Sequence, residues 1–199
     1  MQAEGTLVKR FKQNAYRFLE HPPERGAEWP WLFLMQHYGV PTRLLDWTEN
    51  PLYGLWFAVA AEAHAEIDGC LWSLDPIALN ELAHIRPEFA QEIPYFGDDI
   101  VLDNYLPSRL TVGSASPSPA AGIAGREFER IYAQAGAFTI THREQEDIAL
   151  LTPTPTRRLL IPAEAKPALS EELRLLGINE LTVFPQLDNV AKQAQRDLW

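Results

Sequence analysis

The chain has 199 residues, 46% hydrophobic and 22% charged, a size and balance that suit one folded domain over residues 1–199 and exclude a disordered chain. Its formal net charge of −10 repels phosphate at long range, which argues against broad, sequence-independent nucleic-acid binding. Cys70 is the one cysteine, so an internal disulfide and a thiolate zinc cage are excluded; no apolar run is long enough to span a bilayer and the start MQAEGTLVKRFKQ lacks a signal-peptide core, so a cytoplasmic protein with no membrane partner is expected.

In chain order, a helix is predicted from Thr6, as its cap, to Leu19, with Leu7, Phe11, Tyr16 and Phe18 as an imperfect apolar stripe stopped by His21-Pro22-Pro23. A second helix from Pro30 to Tyr38 ends at Gly39 and Pro41, and residues 41–50 are expected to be extended between Pro-Thr and Asn-Pro. The next helix starts at Pro51, capped by Thr48 or Asn50, and its body LYGLWFAVAAEAHA is apolar on nearly every side, which predicts deep burial. Asp68-Gly69 turns into a strand from Cys70 to Leu74, followed by a short helix from Pro76 to Ala83.

The pattern weakens between Ile85 and Gly125, where GSASPSPAAGIAG predicts a flexible loop around residues 107–125. Order returns at Phe128–Tyr132, at strands over 136–142 and 157–161, at a helix from Pro167 to Leu176 ended by Gly177, and at a last helix reaching Trp199. About four strands and five or six helices without regular βαβ alternation predict an α+β fold, a small mixed or antiparallel sheet with several packed helices.

The segment MQHYGVPTRLLDWTENPLYGLWFA resembles the signature of the FRG domain family: Gln-His-Tyr-Gly, Pro-Thr-Arg-Leu-Leu-Asp-Trp-Thr, Asn-Pro and Phe-Ala at matching spacing. Arg130 with Gln134, Gly136, Ala137 and Phe138, and the closing LTVFPQLDNVA, extend the likeness over most of the chain. Two departures stand out. The resemblance implies a Phe-Arg-Gly strand ahead of the first helix, of which Arg25-Gly26 is only a faint echo, and Gln186 occupies the place of an acidic residue. The family's fuller pattern is similar in order to an ADP-ribosyltransferase layout, which makes NAD the substrate the analogy suggests and implies no firm cofactor.

Several polar residues near that signature are candidates for a site, each with a structural alternative. His37 stands at a helix end, where it either stabilises free carbonyls or holds a ribose hydroxyl or phosphate. Arg43 can clamp a pyrophosphate or carboxylate in two parallel bonds, or join an internal network with backbone carbonyls or Asp188. Asp46 suits a buried network or a helix cap. Trp47, Thr48 and Asn50 meet at a strand-to-helix junction that offers N–H groups to an anion, with Trp47 as core or as a cover for a nicotinamide or adenine ring.

Arg130 and Gln134, four apart on a predicted helix, would add an anion anchor and an amide reader, or satisfy buried carbonyls. In THREQEDIALL the acids Glu144, Glu146 and Asp147 suit a solvated turn; under the transferase analogy Glu146 is the catalytic residue, bonding the ribose 2′-hydroxyl and stabilising charge at C1′. Nucleotide loops, zinc-hydrolase helices and serine elbows are absent from the sequence, and no metal site is expected. Two functions therefore stand: an NAD-linked, ADP-ribosyltransferase-like enzyme, or a non-catalytic module for a small anionic or nucleotide ligand or an unknown protein partner, its polar cluster a folding network.

Overall fold

A computed structural model describes residues 2–85, 92–110, 116–125, 129–142 and 147–196, except for the side chains at positions 2, 3, 129, 130 and 196. The first helix, α1 (Gln2–Ala15), begins four residues before the predicted Thr6 cap, and a 3-10 turn over Tyr16–Phe18 continues it. Glu4 sits in its first turn, where a carboxylate complements the helix dipole. Val8 is buried and Phe11 meets Trp31 edge to face, which packs α1 on α2 (Glu28–His37). From Trp31 to Met35 every residue of α2 is buried, and the chain leaves this helix where Gly39 takes a φ of 72°.

An extended β1 (Leu44–Thr48) follows, then α3 (Pro51–Val59), with Asn50 Oδ1 accepting the Leu52 N–H at 2.9 Å as the predicted cap. This helix is shorter and less buried than its composition suggests: it stops at Val59, the only residue of α3 counted as buried, and Leu52 and Phe57 are exposed. One side of α3 borders a cleft, which explains apolar residues around its circumference without a core on every side. Next come β2 (Gly69–Leu74), α4 (Pro76–Leu82) and β3 (Ala120–Ile123). The presence of β3 corrects the loop expected over 107–125: its small residues fit the close packing of an edge strand, where a Cβ at Gly122 would lie 2.6 Å from Phe96. Residues 111–115 of that tract lie outside the described residues.

The remaining elements are α5 (Glu129–Ala133), β4 (Gly136–Ile140), β5 (Thr156–Ile161), α6 (Lys166–Leu175), α7 (Glu180–Val183) and α8 (Leu187–Arg196). The fold is α+β, built on two antiparallel sheets, one ordered β1-β4-β3 and the other β2-β5. Register assigns the faces of the larger sheet. Leu44, Ile140, Ala120 and Phe138 turn to the main core with α1, α2 and Tyr105, while Leu45 pairs with Thr139 and Thr139 with Ala121 on the other face. The smaller sheet packs Leu71 and Ile161 on α3 and α6 so closely that a Cβ at Gly69 would sit 2.7 Å from the Ala58 carbonyl. Among the described residues no helix is long and apolar enough to cross a membrane.

Edge strand β3 is held from the side by one buried amide. Asn80 on α4, 2% exposed, donates from Nδ2 to the Ala121 carbonyl at 3.0 Å and accepts the Ala121 N–H on Oδ1 at 2.7 Å. The side chain acts as a short surrogate strand, satisfying both backbone groups where no neighbouring strand does. Asn80→Ala leaves a buried N–H and a buried C=O unpaired and should cost about 3 kcal/mol, a fall of roughly 6–12 °C in melting temperature. A change under about 1 kcal/mol in chemical denaturation would contradict this reading of the clamp.

Candidate functional site

The polar residues between α2 and α3 divide into an internal network and the wall of a cleft. Arg43 belongs to the first. Its Nε–H donates to Glu4 Oε2 at 2.7 Å, Nη1 donates to the Thr141 and His142 carbonyls at 2.7 and 3.3 Å, and Nη2 donates to the Tyr105 carbonyl. Both partners of the ion pair are nearly sealed, with side chains 12% and 11% exposed. The expectation of a ligand clamp is corrected here: the guanidinium has four internal acceptors and takes no part in lining the cleft. Glu4 and three carbonyls fill the role proposed for carbonyls or Asp188.

Asp46 joins a second chain of bonds. Its Oδ2 accepts from Gln36 Nε2 at 2.8 Å, and Gln36 Oε1 accepts from the Thr42 hydroxyl at 2.6 Å. Thr48 Oγ1 donates to the Gln134 carbonyl at 2.7 Å and accepts the Asn50 N–H at 3.0 Å, shaping the turn into α3. Gln134 donates from Nε2 to the Val183 carbonyl at 3.2 Å, tying the turn between α5 and β4 to α7. His37 closes α2 with its ring edge-on to Tyr38, away from the cleft. Arg130 lies on α5 with its side chain outside the description, and Glu144 and Glu146 lie outside the described residues.

What these networks hold in place is a cleft of about 1030 Å³ between the two sheets. One wall is the outer face of the larger sheet, with Leu45, Trp47, Ala137, Thr139, Ala121 and Ile123. The facing wall is β2, with Cys70, Trp72 and Leu74; Gly54, Phe57 and Ala58 of α3 form the base. Leu74, Ala121 and Ile148 pack together and join the two sheets at one end. Large apolar groups that line the cleft stay in solvent, with Leu45 54%, Phe57 44% and Trp72 41% exposed. Trp47 is oriented by its indole N–H, which donates to Thr139 Oγ1 at 3.0 Å.

Of the expected site residues, Asp46, Trp47, Thr48 and Gln134 border the cleft, but the hydroxyl of Thr48 and the amide of Gln134 are engaged within the protein. Asn50 is engaged as a cap. Sequence reasoning missed Trp72, Cys70 and Phe57. The available signal was GCLWSL itself, apolar on both alternating faces although its sheet has only two strands, which calls for cover on both sides. Among the described residues no group of three or more His, Cys, Asp or Glu is placed to hold a metal ion.

A family model, FRG domain, matches residues 1–66, a span that contains the signature-like segment over residues 35–58 and bears out the resemblance there. It takes in β1 and α3, hence one wall and the base of the cleft, and stops before β2. No curated protein and no solved structure matches the chain.

Removing Arg43 should therefore read as a folding defect. Arg43→Ala strands the Glu4 carboxylate and three carbonyls, and a loss of about 3–5 kcal/mol in urea denaturation is expected. Arg43→Lys should recover only part of it, because a compact ammonium does not span the acceptors that the planar fork reaches. Stability within about 0.5 kcal/mol of the parent, as for an ordinary surface residue, would contradict the network.

Proposed function

We propose that this FRG domain chain binds a small ligand carrying a planar ring in the cleft between its two sheets. The supporting observation is the pair Trp47 and Trp72, one on each wall of a largely apolar cavity of about 1030 Å³. That volume reaches the upper end of small-molecule sites, which run from about 300 to 1,000 Å³ and combine apolar lining with a few polar groups. Indole rings on opposing walls suit the stacking of a nucleobase or pyridine ring, and Thr139 and Thr156 add hydroxyls among the lining residues. The polar cluster that first drew notice plays a supporting part: it fixes β1 and the start of α3.

A second reading is the NAD-linked transferase. Thr141 and Asp147, the described residues that flank Glu146 in sequence, both line the cleft. In this reading the nicotinamide ring stacks on an indole, and the Glu146 carboxylate would bond the ribose 2′-hydroxyl while the C1′–N bond breaks, nicotinamide leaves, and a nucleophilic side chain of the acceptor protein bonds C1′ and gives up its proton to solvent.

Titration of NAD against tryptophan fluorescence and calorimetry tests both. Binding is expected, with Trp72→Leu weakening it about tenfold through lost stacking and leaving the melting temperature nearly unchanged, since Trp72 is exposed. Labelled-NAD transfer abolished by Glu146→Ala with binding retained supports the enzyme; binding without transfer leaves the binding module. A titration with no heat and no quenching overturns the nucleotide reading.

A further inference from the structure

Among the described residues that line the cleft there is no lysine, arginine or histidine. Arg43, the sequence's leading candidate for an anion contact, is committed to Glu4 and three carbonyls. A cation nevertheless stands beside the cleft-lining Trp72. Arg158 pairs with Trp72 in the β2-β5 ladder, and directly opposed residues of an antiparallel pair share a face, so Arg158 lies on the same side of the smaller sheet as the cleft-lining Trp72. Its guanidinium carbon sits over the Trp72 ring, 5.9 Å from the centroid.

Arg158 is exposed, and among the described residues its guanidinium has this ring contact but no hydrogen bond or ion pair. The ring contact leaves the N–H donors of the guanidinium without protein acceptors among the described residues. Arg157, next in sequence, pairs with Ser73 on the other face and serves as a natural comparison.

We infer that Arg158 is the anion-binding residue of the cleft, and that the ligand is a planar aromatic ring carrying a phosphate or carboxylate group, the ring entering between the sheets and the anion held beside Trp72. This rests on the proposed ring-binding cleft and narrows its ligand class. No covalent step is involved. The side chain contributes two parallel N–H donors to an anion that remains partly in solvent, which gives affinity and selects against the uncharged parent of the same ring. It also makes binding salt-sensitive, because an exposed charge pair is screened.

The test uses the full chain, with AMP and adenosine as probes that differ only in the phosphate. AMP should bind about tenfold more tightly than adenosine, and the preference should shrink in high salt. Arg158→Ala should bring AMP down to the adenosine level with the melting temperature unchanged, Arg158→Lys should keep part of the preference, and Arg157→Ala should keep all of it. If both probes bind alike to the parent protein, or if Arg158→Ala retains the preference, or if Arg157→Ala loses it equally, the assignment of Arg158 is overturned while the ring-binding cleft stands. If neither probe binds, the ring-binding reading fails and takes this assignment with it.

Discussion

The Arg43 guanidinium is the contact on which the arrangement of this domain depends. One planar group meets a carboxylate from α1, two carbonyls just after β4 and the carbonyl of Tyr105, so it ties the start of β1 to three segments far from it in sequence. Each acceptor would otherwise carry an unpaired charge or dipole into the interior beside the main core. A rigid fork satisfies them only if they are held in one plane at set distances, and that requirement fixes where α1 lies relative to the larger sheet.

With that corner fixed, the strand behind it has a defined register. Leu44 goes into the core, Asp46 reaches back to Gln36 on α2, and Thr48 and Asn50 shape the turn that launches α3. The alternate residues, Leu45 and Trp47, then have no choice but the opposite face. There the second sheet stands away from the first, joined to it by Leu74, Ala121 and Ile148. The cleft is thus a consequence of period-two geometry in a strand whose other face carries Leu44 in the core and Asp46 and Thr48 in hydrogen bonds. A polar-rich motif ends up presenting its tryptophan to the cavity and keeping its arginine for itself.

Much of this was legible in the amino-acid sequence. The α+β class, the Asn50 cap before Pro51, the Gly39 and Gly177 helix ends and the strand after Asp68-Gly69 follow from local chemistry that tertiary packing does not override. What escaped is what depends on distant partners. The strand Ala120–Ile123 consists mostly of small residues that read as a loop, and it is a strand because it pairs with β4 while Asn80, forty-one positions from Ala121, and the backbone at Pro94 and Phe96 satisfy its other edge. The site suffered in the same way: Arg43 reads equally as clamp or strut until Glu4 and the carbonyls are located. Trp72 lines the cleft, and Arg158 shares its face of the smaller sheet through a pairing that no motif announces.

The division of the two arginines can be measured directly by modifying the native protein with phenylglyoxal and locating the adducts by peptide mass spectrometry. Arg158, exposed beside Trp72, should react promptly, and Arg43 should stay unmodified until the protein is unfolded. Prompt modification of Arg43 in the folded protein would contradict the account, because it would put in solvent the group that is said to hold the corner of the fold.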